Sequence, residues 1–408
     1  MDLKNKTSTH DSQDTLTKTL HLFLGLFCLV LPWSLAAMQI ALGLVLCMVI
    51  LLWIRVKSLP KITHPIFIFI AIYVVLRAIS ALVSPEATFS LAALLQTDWV
   101  VLTIPFLIGS LLWSAHLEKT LHQLLLSVVV ISIYGIIQFF VGFDIFRGKE
   151  LSLFGNFYRA SGGFSHYLTF AGSQLLWFGL ILGVFLAEKN WNRKKYIYLS
   201  ITLIVLLSLI ATLARSAWIG ILVIVGLGTL LINRKLFLYA AITMIIIGVI
   251  AAMLSPEVQT RITSIFDVSQ NENRLTLWKT ALRIIEDNPM WGTGPGFFEQ
   301  SFFKYKVPGF HDATGHAHND YLNVAVNSGI FAMLSWLSVW GCWFYFALKT
   351  FWKTNISEFE KQVLLGSILA ITGIMVAAIF QCYWTDLENN IAWWFLGALG
   401  LHIVIRHQ

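Results

Sequence analysis

Two histidines, an asparagine and an aspartate fall between His316 and Asp320 in GHAHNDYLNVAVNSG, Gly315 to Gly329, where a polar stretch gives way to an apolar run. Three chemistries are open to such a cluster. His316, His318 and Asp320 alternate as strand-borne metal ligands would, yet a closed metal site needs three or four ligands with support behind them. The other candidates, His166 and His311, stand singly and in no matching pattern. Asn319 or Asp320 suits the cap of a helix that starts here, which leaves both histidines unexplained. An imidazole, finally, titrates near neutrality and can take a proton from an attacking hydroxyl without a metal. At a helix N-terminus the macrodipole keeps such a base neutral and also attracts anions. If the helix begins at or before His318, then His318, Tyr321, Leu322 and Ala325 share one face, and packing below holds the base.

The arginines indicate what a base would act beside. Arg159 stands in NFYRASGGFSHY just before an apolar run, Arg215 in ATLARSAWIG at a tight turn between two such runs, and Arg77 inside a third. An ionisable group at membrane depth is costly and usually faces the bundle interior or a wet cavity. The plainer alternative is headgroup anchoring by a snorkelling side chain. Arg274 lies in NENRLTLWKTALRIIEDNP, a helix with capping asparagines at Asn271 and Asn273 that stops at Asn288-Pro289. At about 100° per residue, Trp278, Ala281 and Ile285 fall within about 40° of Arg274. Leu275 and Leu282 lie beside them, with Lys279, Arg283 and Asp287 opposite. Arg274 is therefore expected at the centre of a buried stripe, either paired with a carboxylate or facing an anionic ligand. The WGTGPGFF that follows, Trp291 to Phe298, lacks the lysine spacing and preceding strand of a phosphate loop and reads as a tight turn. A base beside several arginines is suited to activating a nucleophile while planar guanidinium forks hold a phosphorylated leaving group.

These residues need a frame, and the composition says which. Of 408 residues, 57% are hydrophobic and 12% charged, about half the charged share of a soluble domain. Apolar runs of membrane-crossing length recur, without the alternation of a β-barrel. An all-α polytopic membrane protein is expected, one domain over 1–408. Twelve spans are placed near 20–33, 35–54, 65–83, 98–114, 120–143, 165–186, 196–213, 216–232, 236–254, 321–348, 362–384 and 391–405. Short cytoplasmic loops retain lysine and arginine. RVKSLPK, EKNWNRKK, NRK and KTFWK fall on one side, which with the N-terminal tail, Lys119, Lys361 and Arg406 holds 17 of the 28 basic residues. The opposite side, with Ser84 to Asp98 and Tyr383 to Asn390 read as loops, is acidic or neutral. Both termini are thus expected in the cytoplasm, the first 20 residues being a tail before a retained helix. The net charge of +7 follows topology and implies no nucleic acid. Cys28, Cys47, Cys342 and Cys382 all fall in expected spans and suggest neither disulfides nor zinc. Residues 255–320 form one long outer connection, a length usually functional or structured. Without internal repeats, the matched halves common in transporters are not expected.

The spacing His318-Asn319, nine residues from Asp320 to Ser328, then Gly329 resembles the motif of the O-antigen ligase family, which shares its core domain with the O-antigen polymerases. The upstream NRLTLWKTALRIIEDNPMWGTGPGFF, RASGGFSHYLTFAG (Arg159 to Gly172) and LARSAWIG (Leu213 to Gly220) resemble that family too, so the likeness spans roughly 155 to 335. It implies a GT-C-like membrane glycosyltransferase with a large helix-containing periplasmic loop at 255–320, in the bacterial inner membrane with its site facing the periplasm. It implies His318 as catalytic base and Arg159, Arg215 and Arg274 as pyrophosphate contacts, with His316, Asn319, Tyr321 and Gly329 as supporting motif residues. The donor would be a polysaccharide on undecaprenyl pyrophosphate and the acceptor a sugar of lipid A-core, joined by inverting transfer with no metal or other cofactor. A chain of this length, lacking the C-terminal extension of protein-glycosylating members, favours ligase. Polymerase, with a second lipid-linked chain as acceptor, and a polyprenyl-lipid transporter are the alternatives.

Overall fold

The computed structural model describes every residue except 1, 57–61, 115–116, 255, 268–270, 312–314 and 354, and only the backbone of 2–14, 56, 251, 254, 257, 261, 265 and 266. The expected basic stretch from Lys57 to Lys61 thus lies outside the described residues. The first half is helical: α1 (Asp2–Val30), α2 (Leu35–Val56), α3 (Ile66–Val83), α4 (Ala87–Thr97), α5 (Ile104–Trp113) and α6 (Leu117–Val141). A 3-10 segment, Asp98–Thr103, joins α4 to α5. Two small antiparallel hairpins follow, β1 (Phe143–Asp144) with β2 (Lys149–Glu150), and β3 (Leu153–Phe154) with β4 (Phe157–Tyr158). Then come α7 (Tyr167–Ala187), α8 (Arg193–Ala211), α9 (Arg215–Ile232) and α10 (Arg234–Leu254). The long connection carries α11 (Pro256–Phe266), α12 (Glu272–Asp287) and α13 (Phe298–Tyr305), before α14 (Asp320–Phe351), α15 (Glu358–Ala377) and α16 (Leu387–Arg406).

A helix stands at each of the twelve expected spans. Among the described residues, nine stretches are long and apolar enough to cross a membrane: α2, α3, α4 through α5, α6, α7, α8, α9, α14 and α15. In α1 the apolar part is shorter, Thr15–Val30. The bundle centres on α7 and α15, whose membrane-length windows are 89% and 72% buried against 33–44% for the others. Small residues make this possible. A Cβ on Gly179 would collide with the Ala370 backbone and one on Gly183 with the Gly366 backbone, so the two helices touch main chain to main chain, a contact that drives association where water does not.

Two segments depart from the sequence reading. Ser84 to Asp98, expected as a loop, is mostly α4, because Ser90 donates to the Pro295 carbonyl at 3.0 Å and Phe89 meets Phe297 edge-on at 5.0 Å. The span expected to reach 384 ends at Ala377, and residues 378–386 form a turn into α16 that holds Cys382 outside any helix. This turn becomes important below.

The motif glycine has a geometric role. At Gly329 (φ 84°, ψ 169°) α14 breaks and resumes, an arrangement that suits a residue without Cβ. Ile330 N donates to the Pro289 carbonyl at 2.8 Å, so the helix ladder is interrupted. The glycine-rich turn repairs the break: Thr293 N donates to Val326 O at 2.8 Å and Gly294 N to Asn327 O at 3.0 Å. Its amides are thereby engaged by helix carbonyls. On the other flank α3 supports the kink. Ser80 donates to the carbonyls of Trp291 and Asn327, and Arg77 bridges Asp98 at 2.7 Å and the Ser328 hydroxyl at 2.8 Å. Arg77 is therefore a buried structural ion pair. Gly329→Ala should destabilise the fold by about 3 kcal/mol or more, since positive φ and a collision with the Met290 carbonyl coincide. The readout is the monodisperse fraction and melting temperature in detergent; wild-type behaviour would contradict this role.

Candidate active site

His318 sits immediately before α14, not on it. Asn319 is the N-cap, accepting from Leu322 N at 3.0 Å, so the expected shared face with Tyr321, Leu322 and Ala325 is replaced by a bent loop. The His318 backbone takes a left-handed conformation, φ 48°, uncommon for a residue with a Cβ. Its N–H donates to His316 Nδ1 at 3.2 Å, and the two rings meet edge to face at 4.3 Å. His318 Nδ1 lies 2.6 Å from Oε1 of Gln381 in the α15–α16 turn.

Asp320, whose role the sequence leaves open, binds that turn to the motif. Its N–H donates to Ala378 O at 2.9 Å, and its buried Oδ2 accepts from Tyr383 N and Trp384 N, each at 2.8 Å. Tyr321 donates its hydroxyl to Met375 O at 2.8 Å, which fastens α14 to α15. Trp384 is buried edge-on among Trp336, Trp340, Trp393 and Trp394, with ring centroids 5.2–6.0 Å apart. Next to it, the Tyr383 hydroxyl shares a 2.9 Å hydrogen bond with Ser216, the second residue of α9. The turn therefore joins the starts of α9 and α14.

Three arginines from distant segments gather here. Arg215, first in α9 after the left-handed Leu213, donates to the Ser264 carbonyl of α11 at 2.6 Å. Arg274, from α12, has its pKa lowered by burial and then by the neighbouring Arg215 guanidinium. Among the described residues no carboxylate pairs with Arg274. Arg159 lays its guanidinium over the Tyr167 ring at 4.6 Å and the Phe154 ring at 5.4 Å, with its Nε buried and unpartnered. It adjoins both Arg215 and His166, the N-cap of α7.

Arg274 is not at the centre of its helix's buried stripe. That stripe runs through Leu277, Ala281 and Ile284, while Leu282 is 49% exposed. The cause is Thr276 and Thr280, both buried. Thr280 accepts from Val307 N at 3.3 Å, and Thr276 lies against Gly309. Hydropathy does not credit threonines that satisfy loop backbone. Asn271, expected as a cap, instead donates its side chain to the Ser264 and Asp267 carbonyls.

Clustered guanidiniums here stand near imidazoles that burial disposes to the neutral form. Burial lowers the His166 pKa, with Arg159, Lys149 and His318 adding to it. His316 is pushed down to about 3 by burial and by His318. Because its Nδ1 accepts from His318 N–H, its proton resides on Nε2. The unfolded chain, with an ordinary imidazole near 6.5, binds the extra proton, so this contribution is full above about 6.5 and lost as pH falls toward 3. Melting temperature should therefore fall on acidification from neutrality, and less steeply in His316→Phe; parallel declines would contradict a buried neutral His316.

Among the described residues, no three His, Cys, Asp or Glu side chains converge on one point. His311 lies apart from the cluster, tilted against Phe302 at 5.2 Å. The structure thus links Arg274 to Arg215, Arg215 to Arg159, and Arg159 through His166 to His316 and His318, with Asn319, Tyr321 and Gly329 as scaffold. Sequence reading missed Tyr167, Gln381 and Tyr383. Gln381 was hidden because it falls at the end of an apolar run that passes for a span, and Tyr383 because it opens a segment read only as an acidic or neutral loop.

The comparison with curated proteins returned no match. A family model does match: residues 200–337 fit the one described as O-antigen ligase. This stretch contains Arg215, Arg274, His316, His318 and Gly329 and stops short of Gln381, with Arg159 before it. From within α8 to the first half of α14 the chain thus resembles the O-antigen ligase family.

Proposed function

We propose that the protein is a lipid A-core:O-antigen ligase of the bacterial inner membrane. It moves polysaccharide from undecaprenyl pyrophosphate to a hydroxyl of lipid A-core by metal-independent inverting transfer. In this reading all twelve expected spans cross the membrane, both termini are cytoplasmic, the fold is GT-C-like, and residues 255–320 form a periplasmic loop within a single domain. The observation that carries it is one connected cluster: Arg215 neighbours both Arg159 and Arg274, and His166 joins Arg159 to the His316–His318 pair.

The acceptor hydroxyl gives its proton to His318 Nε2 while its oxygen attacks the anomeric carbon from the face opposite the pyrophosphate. The bond from that carbon to the pyrophosphate oxygen breaks, and its electron pair leaves with the phosphate. Pyrophosphate is a good leaving group, so guanidinium charge aimed at the developing anion lowers the barrier without a proton donor on that side. Repulsion among the clustered arginines is relieved when the dianionic donor binds. His316, neutral and donating from Nε2, adds no competing charge.

The test uses cells that depend on the wild type or on His318→Ala. Lipopolysaccharide is run on a gel, and lipid-linked polymer is analysed in parallel. Loss of core-attached ladders with accumulation of normal-length lipid-linked polymer on the periplasmic face supports the ligase. Polymer shrinking to single repeats would make the protein a polymerase, and accumulation on the cytoplasmic face a transporter. An unchanged profile would remove His318 from catalysis.

A further inference from the structure

We infer that Gln381 is the positioning residue of the His318 base, fixing its tautomer and ring orientation through a neutral acceptor. The inference rests on the ligase reading of the site and deepens it. A carboxamide oxygen can only accept, so the 2.6 Å contact with Oε1 requires the proton on His318 Nδ1. In the neutral ring the lone pair then lies on Nε2, the nitrogen that must take the acceptor proton. Without this bond the two tautomers compete, and the minor one presents N–H where a base is needed.

The surroundings make the contact rigid. Gln381 is 6% exposed and lies in the turn that Asp320, two residues beyond His318, holds through Ala378, Tyr383 and Trp384. Base and holder are thus cross-linked a second time close by. Asn390 donates to Trp384 O at 2.6 Å, closing the far side of the turn. A left-handed residue such as His318 costs about 1–3 kcal/mol and persists where neighbours over-determine it. This double clasp supplies that constraint.

The choice of a carboxamide over a carboxylate also has a reason. Among the described residues, the charged and titratable groups that bear on the His318 ring include His316 on its own loop, His166 at the α7 cap with Arg159 and Lys149 behind it, and the Cys382 thiol against the His318 backbone. Asp320 faces away into the turn amides. A glutamate at 381 would put an anion beside guanidiniums meant for pyrophosphate and would raise the proton affinity of the base.

The experiment uses full-length protein in nanodiscs, undecaprenyl-pyrophosphate-linked polysaccharide as donor and lipid A-core as acceptor. Gln381→Leu should lower kcat by about 10–100-fold, the usual range for losing a histidine's outer partner, with KM for both substrates unchanged. Gln381→Glu should recover kcat at alkaline pH, move the acid limb of the profile to higher pH by about one unit or more, and raise the donor KM. A Gln381→Leu protein with wild-type kcat, or a Gln381→Glu protein with an unshifted acid limb, overturns the inference. Solid-state 15N spectra of histidine-labelled protein, assigned by difference with His318→Ala, give a readout that needs no turnover. They should show an Nδ1–H tautomer that becomes mixed in Gln381→Leu; an unchanged ratio also overturns it. If wild type transfers nothing, or His318→Ala matches it, the ligase reading fails, while the tautomer spectra still decide whether Gln381 holds the ring.

Discussion

His318→Ala in purified protein should lower kcat by about 10²–10⁴-fold, the usual worth of a positioned general base, while donor KM changes by no more than a few-fold. The separation follows from the layout. The imidazole is placed by the motif loop and the α15–α16 turn, whereas the guanidiniums come from the β4–α7 segment, α9 and α12. Removing the ring therefore leaves the arginines in place to hold pyrophosphate. Asn319 still caps α14 and Asp320 still clasps the turn, so the variant should keep the wild-type melting temperature to within a few degrees. Steady-state kinetics with melting curves check both. A kcat within tenfold of wild type would mean that another group, or water, takes the proton.

Arg274→Lys should reduce kcat/KM by about 10²–10³-fold, comparable with the loss of one preorganised donor to a developing anion, although the formal charge is kept. Lysine offers a strongly hydrated point charge where a planar fork can reach two phosphate oxygens. Burial bears harder on the ammonium, because a desolvated lysine beside the Arg215 guanidinium loses its proton more readily than arginine. Activity of the lysine variant should accordingly fall further as pH rises, while wild type holds. Wild-type kcat/KM in Arg274→Lys, or full recovery on adding a divalent cation, would count against a guanidinium–pyrophosphate contact.

The helical frame was legible because apolar runs of membrane length leave few alternatives, and a helix stands at every expected span. The arginines stood out because charge next to apolar runs is costly enough to demand a reason. The cap at Asn319 was equally plain from its place before the run. Other features depend on distant partners and leave no local periodicity. The α4 helix is held by the glycine-rich turn some 205 residues away through Ser90 and Pro295. The α12 stripe is rotated by threonines whose hydroxyls serve a loop. Gln381 meets His318 across 63 residues, and the apolar run that leads up to it disguises the start of the turn as membrane helix. Gly329 was visible as a motif position, but its spacing from His318 acquires meaning only with the kink. Nine residues of helix, about 13 Å long, separate the cap from the point where α3 and the glycine turn hold α14.

The ion pair between Arg77 and Asp98 bears on how the protein is made. Translation delivers α3 to the membrane long before α14 exists, and Ser328, which Arg77 finally contacts, lies 251 residues downstream. A lone arginine at the centre of an inserting helix costs about 2.5–3.5 kcal/mol. Asp98 follows only 21 residues later, at the start of the 3-10 segment, and can neutralise the guanidinium while both are still in the same nascent hairpin. Arg77 thus has an early companion in the chain, and α14 follows α3 and the glycine-rich turn that together receive its kink.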